Sequence, residues 1–232
     1  MSLPRFARAC NPVIIHRIRA RSDHREVPMS NAKVLVFGAR SGIGVQLIEA
    51  LKAAGVESVG ITRSGSGASA SADVTDAAAV QRVFAAHPDT TAIVSIVGGR
   101  PFTKDTPPDL TGNRNLIDAA ERTGVRRFVL VSTIGAGDSR DAAPLAARLV
   151  LGKFMKLKTQ AEELLRGSKL DWSIVRPGHL KDGAPTGRGV LLEDPTVSGA
   201  VVRADVGVLI AGLLDDPASY GKTYACIERK RD

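Results

Sequence analysis

Between residues 38 and 44 the chain reads GARSGIG, three glycines within one short turn. The β-branched run at 33–38 precedes it, and Val45, Ile48 and Leu51 follow at helical spacing, so the turn is predicted to join a strand to a helix running from Gly42 to Ala54. In that setting each glycine has a task. Gly38 permits the tight turn, Gly42 lets the backbone approach a ligand closely, and Gly44 lets the helix pack against the strand. Ser41 and Ile43 complete the turn. Backbone N–H groups at the start of a helix have no partner within it, so the segment can seat a pyrophosphate.

A second strand is predicted over 56–62, and it ends in Thr62-Arg63-Ser64. A protein that grips a ribose 2′-hydroxyl places a carboxylate about 20 residues beyond the glycines. Arg63 cannot accept a hydrogen bond, but its guanidinium can pair with a 2′-phosphate, and Arg40 can flank the same group. These residues favour NADP(H) over NAD(H).

The elements that must position these groups follow from periodicity. A short third strand falls within 68–73, Asp76 is predicted to cap a helix with Val80, Val83 and Phe84 on one face, and 91–99 reads as a buried strand. A helix over 110–124, a strand over 126–133, a helix over 145–166 and a strand over 170–178 come next. The stretch 179–203, rich in Gly and Pro, reads as irregular, and a helix over 205–214 and a strand over 222–228 complete the chain. Strands alternating with amphipathic helices specify an α/β, doubly wound Rossmann fold with a mostly parallel sheet and helices on both faces.

Composition narrows the partners. The 232 residues, 44% hydrophobic and 24% charged, suit one soluble α/β domain, and no run approaches the roughly 18–20 apolar residues of a membrane span. Half of the +8 charge lies in residues 1–29, where six arginines face Asp23 and Glu26. This basic leader reads either as an upstream start codon, with Met29 opening the working protein, or as an organellar transit peptide. The domain proper is expected over 30–232, with 179–203 as a small substrate rim. A cytoplasmic setting is expected in the first case. Aromatics are only 4% of the chain, and the body has no basic cluster interleaved with them, so nucleic acid is not an expected partner. Cys10 and Cys226 support no disulfide framework, and His16, His24, His87 and His179 share no ligand spacing, so no metal is assigned. On the helix over 145–166, Phe154, Leu157, Ala161, Leu164 and Leu165 form an apolar stripe that suits core packing or a homodimer face.

The glycine turn, Asp73-Val74, the stretches 115–139 and 158–180, and 204–216 together resemble the atypical short-chain dehydrogenase/reductase proteins. More narrowly, they resemble the NmrA-like, NAD(P)H-binding group that includes the biliverdin IXβ/flavin reductases. The resemblance implies that Asp73 and Val74 contact adenine and that Gly98 lines the cofactor path. It implies that Ser132 and Thr133 stand at the nicotinamide end, that Lys158 bonds the nicotinamide ribose, and that Pro177, Gly178 and His179 pass beside the nicotinamide amide. One departure bears on chemistry. Alcohol-oxidising relatives use Tyr-x-x-x-Lys, the lysine lowering the tyrosine pKa for proton transfer, and here Phe154 stands four residues before Lys158. Ser41 also stands where many atypical members have glycine.

Hydride transfer then suits a small acceptor that needs little enzymatic proton donation, such as a flavin or quinone, with Ser132, Thr133 and His179 as the groups able to steer or protonate it. A competing reading gives these residues cofactor contacts alone and makes the protein a non-catalytic NADP(H) sensor whose cofactor controls a protein contact.

Overall fold

The computed structural model describes residues 32–40, 42–64, 70–99 and 108–229. The basic leader over 1–29 and Ser41 lie outside them. Ten strands and five α-helices alternate along the described chain: β1 (Lys33–Phe37), α1 (Gly42–Ala53), β2 (Glu57–Thr62), β3 (Ala70–Ser71), α2 (Ala77–Ala86), β4 (Ala92–Ser95), α3 (Pro108–Thr123), β5 (Arg127–Val131), α4 (Leu145–Arg166), β6 (Asp171–Pro177), β7 (His179–Lys181), β8 (Gly189–Leu192), β9 (Ala200–Val202), α5 (Arg203–Leu214) and β10 (Lys222–Glu228).

Eight strands form one sheet in the order β3-β2-β1-β4-β5-β6-β10-β8. Every pairing in it is parallel except β10 with β8. This is the doubly wound Rossmann arrangement, and the chain reverses direction across the sheet between β1 and β4, where such folds open their ligand crevice. Period-two alternation sends Leu35 and Phe37 to one face and Val34 and Val36 to the other. The first face packs under α2, α3 and α4, the second under α1 and α5, so all four side chains are buried.

Local chemistry sets the boundaries. Asp76 caps α2 by accepting from Ala78 N, as its sequence position predicts. Gly55, at φ +74°, ends α1, and Val56 N reaches back to Leu51 O. The apolar face of α1 differs from the predicted one. Its buried line runs through Ile43, Leu47 and Leu51, while Val45 is 46% exposed. The shift follows from α5, whose Gly207 sits so close that a Cβ there would lie 2.8 Å from the backbone of Gln46 and Leu47.

The stretch 179–203 is more ordered than its composition suggests. It contains β7 and β9, paired parallel in a small second sheet, and β8, which extends the main sheet along β10. Asp205, in the first turn of α5, holds it by accepting from Thr186 N, Thr186 Oγ1, Gly187 N and Gly189 N. On α4, Ala161, Leu164 and Leu165 join the core, which is the packing role expected for that stripe. Trp172 packs on the same core as Ile174. Among the described residues no helix is long and apolar enough to cross a membrane.

Cys226, on β10, is fully buried, and burial pushes its thiol up to about 12. Its thiolate is therefore suppressed in the native state. Iodoacetamide at pH 8.5 is expected to leave Cys226 unmodified in native protein and to alkylate it after unfolding in guanidinium, read by peptide mass spectrometry. Modification of Cys226 in the native fold would contradict its burial. The same raised pKa makes a contribution to stability that is intact below the ordinary thiol value of 9.0 and is lost as pH rises from there through about 12.

Candidate functional site

The glycine turn lies at the carboxyl end of β1. Gly38 adopts φ +87°, and a Cβ on it would stand 2.8 Å from Ile96 O, beyond the end of β4. Gly38 N and Ala39 N both donate to Ile61 O, at 3.1 and 3.3 Å, so the turn is tied to the end of β2 as well. A Cβ on Gly44 would fall 2.8 Å from Ala39 Cα and 2.9 Å from Ala39 C. A Cβ on Gly42 would collide with the stem of Arg203 and lie 2.8 Å from its Nε. Ile43 anchors the helix start in the core. The three glycines thus let the turn pack closely against Ile96, Ala39 and the Arg203 stem at the start of α1, and a helix start is where backbone N–H groups commonly meet an anion. That geometry fits a dinucleotide diphosphate.

Arg40 reaches Ser64 at the end of β2, next to Arg63 in the chain. Arg40 Nη1 donates to Ser64 Oγ at 3.3 Å, and the exposed Arg63 gives its carbonyl to Ser71 Oγ at 3.1 Å. Beyond β3, Asp73 accepts from Thr75 Oγ1 and Thr75 N, which holds its carboxyl below the ordinary value, with Arg63 adding to the effect. Val74 packs over Gly112 of α3, and its carbonyl accepts from Asn115 Nδ2 at 2.8 Å.

Beneath the end of β4 lies a buried polar network in which sequence reasoning singled out Lys158, Gly98 and Ser132 and missed Asp109 and Asn113. Lys158, on α4, donates to Val97 O at 2.7 Å and Val131 O at 3.3 Å, and its ammonium stands 3.1 Å from Asp109 Oδ1. Burial pushes this lysine below its ordinary value, against the opposing pull of Asp109 and Glu162. Asp109 accepts from Gly99 N at 2.7 Å, and a Cβ on Gly98 would lie 3.1 Å from Lys158 Nζ. Asn113, one turn on, accepts from Ser95 Oγ at 2.6 Å. The one available signal for Asp109 and Asn113 was their i, i+4 spacing on a helix that follows the buried fourth strand. Ser132 continues the line: its N donates to Val175 O at 2.7 Å, and its buried Oγ has no hydrogen-bond partner among the described residues. Thr133 Oγ1 donates to Ile134 O.

A second buried cluster fixes the loop after β5. Arg176, 2% exposed, donates to Glu162 Oε1 and Oε2 at 2.9 and 2.6 Å and also pairs with Asp138. Arg166 adds a third contact to Glu162. Gly137, at φ +55°, sits against Arg176, and its N–H donates to Thr159 Oγ1 at 2.8 Å.

At the end of β6, Pro177 O accepts from Ile134 N and Gly178 N donates to Cys226 O. Gly178 has no room for a side chain, since a Cβ would lie 3.0 Å from Gly199 C. The His179 N–H donates to Gly199 O at 2.8 Å while the residue remains exposed. Contacts therefore run without a break from the glycine turn through Ile96, Gly98, Lys158 and Val131 to Ser132 and Pro177, along the carboxyl ends of β1, β4, β5 and β6. Neither tyrosine joins this line. Tyr220 stacks on Arg127 at the opposite end of β5, and Tyr224 is buried in the core beneath α1 and α5. The residue one turn from Lys158 is Phe154, whose ring centroid is 5.6 Å from the ammonium.

The family model described as NAD(P)H-binding matches residues 38–217. The chain belongs to the NAD(P)H-binding family. Among solved structures of this kind, ChuY, an anaerobillin reductase from Escherichia coli O157:H7, is 33% identical. The match has a TM-score of 0.77 and covers 87% of this chain and 99% of that one. The chloroplastic protein At2g34460 of Arabidopsis thaliana is 38% identical over 141 residues, which are 57% of this chain and 50% of that protein. Sanguinarine reductase of Eschscholzia californica is 32% identical over 103 residues, 42% of this chain and 37% of that enzyme. The chain thus spans half or less of the length of these two relatives. Its NAD(P)H-binding assignment implies a nicotinamide cofactor.

Proposed function

We propose that this protein is an NADPH-dependent reductase of a small planar acceptor such as a flavin or quinone. What carries the reading is the unbroken line of contacts from the glycine turn to Ser132, which gives one ligand a diphosphate seat at one end and a buried, unpartnered hydroxyl at the other. Reductases among the relatives support the reaction class. In this reading Gly38, Ser41, Gly42, Ile43 and Gly44 bind the diphosphate side, Arg40 flanks the 2′-phosphate with Arg63, and Asp73 and Val74 bind adenine. Gly98, Lys158, Pro177 and Gly178 line the nicotinamide half. Lys158 works chiefly from below, holding the carbonyls of Val97 and Val131 in place.

The bound dinucleotide supplies a hydride, and the reduced acceptor takes one proton more. With phenylalanine in the tyrosine position, that proton comes from solvent or through Ser132, Thr133 or His179, so orientation supplies most of the rate. The test is turnover: adding FMN or a quinone to protein with NADPH is expected to consume NADPH stoichiometrically with acceptor. Tight NADPH binding with no oxidation across an acceptor panel would favour the NADP(H) sensor instead. If residues 1–29 are a transit peptide, the protein works in an organelle, as the chloroplastic relative does; a fusion of these residues to a fluorescent protein would report it.

The preference for NADPH rests on Arg63 with Arg40 beside it, two guanidinium groups where an NAD-specific protein keeps a carboxylate. Arg63→Ala is expected to weaken NADPH binding about tenfold or more, the scale of one charge-assisted hydrogen bond, and to leave NADH within twofold. Fluorescence titrations with both cofactors check this. Equal losses for both would remove Arg63 from the 2′-phosphate site.

A further inference from the structure

We propose that Arg203 is a diphosphate-binding residue, and that through Asp182 it ties cofactor occupancy to the rim formed by residues 179–202. This rests on the dinucleotide reading of the glycine turn. The observation is one of placement. Arg203 opens α5, on the far side of the sequence from the glycines, yet its stem crosses directly over Gly42, the residue whose missing side chain lets a diphosphate approach. The contact is built in, because Gly207, one turn along α5, lies against the backbone of Gln46 and Leu47 and fixes the two helices together.

The guanidinium is already oriented. Arg203 Nη1 donates to Asp182 Oδ1 at 2.7 Å, and its Nε lies over Gly42. Asp182 directly follows β7, and its carboxylate is 91% exposed, whereas the Arg203 side chain is only 28% exposed. A planar fork with five donors can hold one carboxylate and one phosphate oxygen pair together, so Arg203 bridges the two. The bridge has a consequence for the rim. The β7–β9 sheet carries His179 at one end and hands on to Arg203 at the other, so drawing the guanidinium toward the diphosphate orders the segment that borders the nicotinamide half. The effect on affinity has two signs, since the guanidinium attracts the cofactor and the Asp182 carboxylate paired with it partly neutralises that charge.

Three ligands separate this role from that of Arg63. NADPH and NADH both carry the diphosphate, and 2′-AMP carries only the 2′-phosphate. Arg203→Gln keeps the stem and removes the charge. It is expected to weaken NADPH and NADH by the same factor, about tenfold to a hundredfold, and to leave 2′-AMP within twofold. Asp182→Asn is expected to tighten both dinucleotides, and to have no such effect when combined with Arg203→Gln. Hydrogen exchange of amides 179–202 is expected to slow on saturation with NADPH in the natural protein and much less in Arg203→Gln. Unchanged dinucleotide affinity in Arg203→Gln, or an equal loss for 2′-AMP, would overturn the assignment while leaving the cofactor reading intact. Failure of the natural protein to bind either dinucleotide would overturn both.

Discussion

Gly44→Val is expected to lose NADPH and NADH binding together, by about a hundredfold or more, in a protein that still folds. The added side chain would start 2.8 Å from Ala39 Cα and 2.9 Å from Ala39 C, and these are backbone atoms with no rotamer to yield. The turn must open. Opening it strains the bonds from Gly38 N and Ala39 N to Ile61 O that tie it to β2. Overpacking of this kind costs roughly 1–3 kcal/mol, and displacement of the amides removes the diphosphate seat as a unit. A control lies on α5, where Gly212 is helical and a Cβ meets nothing within 4 Å. Gly212→Ala should bind both cofactors normally and gain about 0.5–1 kcal/mol of stability from reduced chain entropy. Titrations and thermal melts on the pair read both effects. Normal binding by Gly44→Val would show that the turn does not hold the ligand.

A larger loss of stability is expected at Glu162→Ala. Glu162 and Arg176 are both almost wholly buried, and the carboxylate accepts from both donors of one guanidinium edge, Nε and Nη2. Asp138 would remain as Arg176's partner, but its side chain is 68% exposed and screened by water. Leaving a buried guanidinium without its carboxylate costs about 3–5 kcal/mol. For a chain of this size that corresponds to a fall in Tm of roughly 6–20 °C. The Glu162→Met/Arg176→Leu double variant should recover much of the loss, because the penalty belongs to the unpaired charge and not to the missing bond. A Tm for Glu162→Ala within two degrees of the natural protein would sink this account of the cluster. The loop from Ile134 to Ala143 should loosen along with it, since Gly137 packs on Arg176 and Thr133 opens that loop.

The parts of this molecule that were legible in the sequence are those fixed by near neighbours. The Asp76 cap rests on a contact two residues away, and the GARSGIG turn shows as a local glycine pattern even though its packing reaches Ile61, Ile96 and Arg203; both are found where residue type and spacing put them. Alternation along β1 and the helical face of α2 likewise express core contacts in a short period. What sequence reasoning missed depends on distant partners. Lys158 reaches Val97 across 61 positions and Arg176 reaches Glu162 across 14, so nothing near Asp109 or Glu162 in the sequence marks either acid as a buried partner. The rim strands failed for a related reason. β7, β8 and β9 are three or four residues long, too short to show a period, and they are held by Asp205 and the edge of β10. The spacing of Val45 points to the wrong face because the buried side of α1 is set by its packing against both the sheet and α5.

The most direct test is to follow the backbone amides of a ¹⁵N-labelled sample as NADPH is added. Saturable shifts are expected at Arg40, Gly42, Ile43 and Gly44, with smaller ones at Gly98 and Ser132, and the first group should also respond to ADP alone. If NADPH binds while these four amides stay unmoved, the diphosphate lies elsewhere and the account of this turn is wrong.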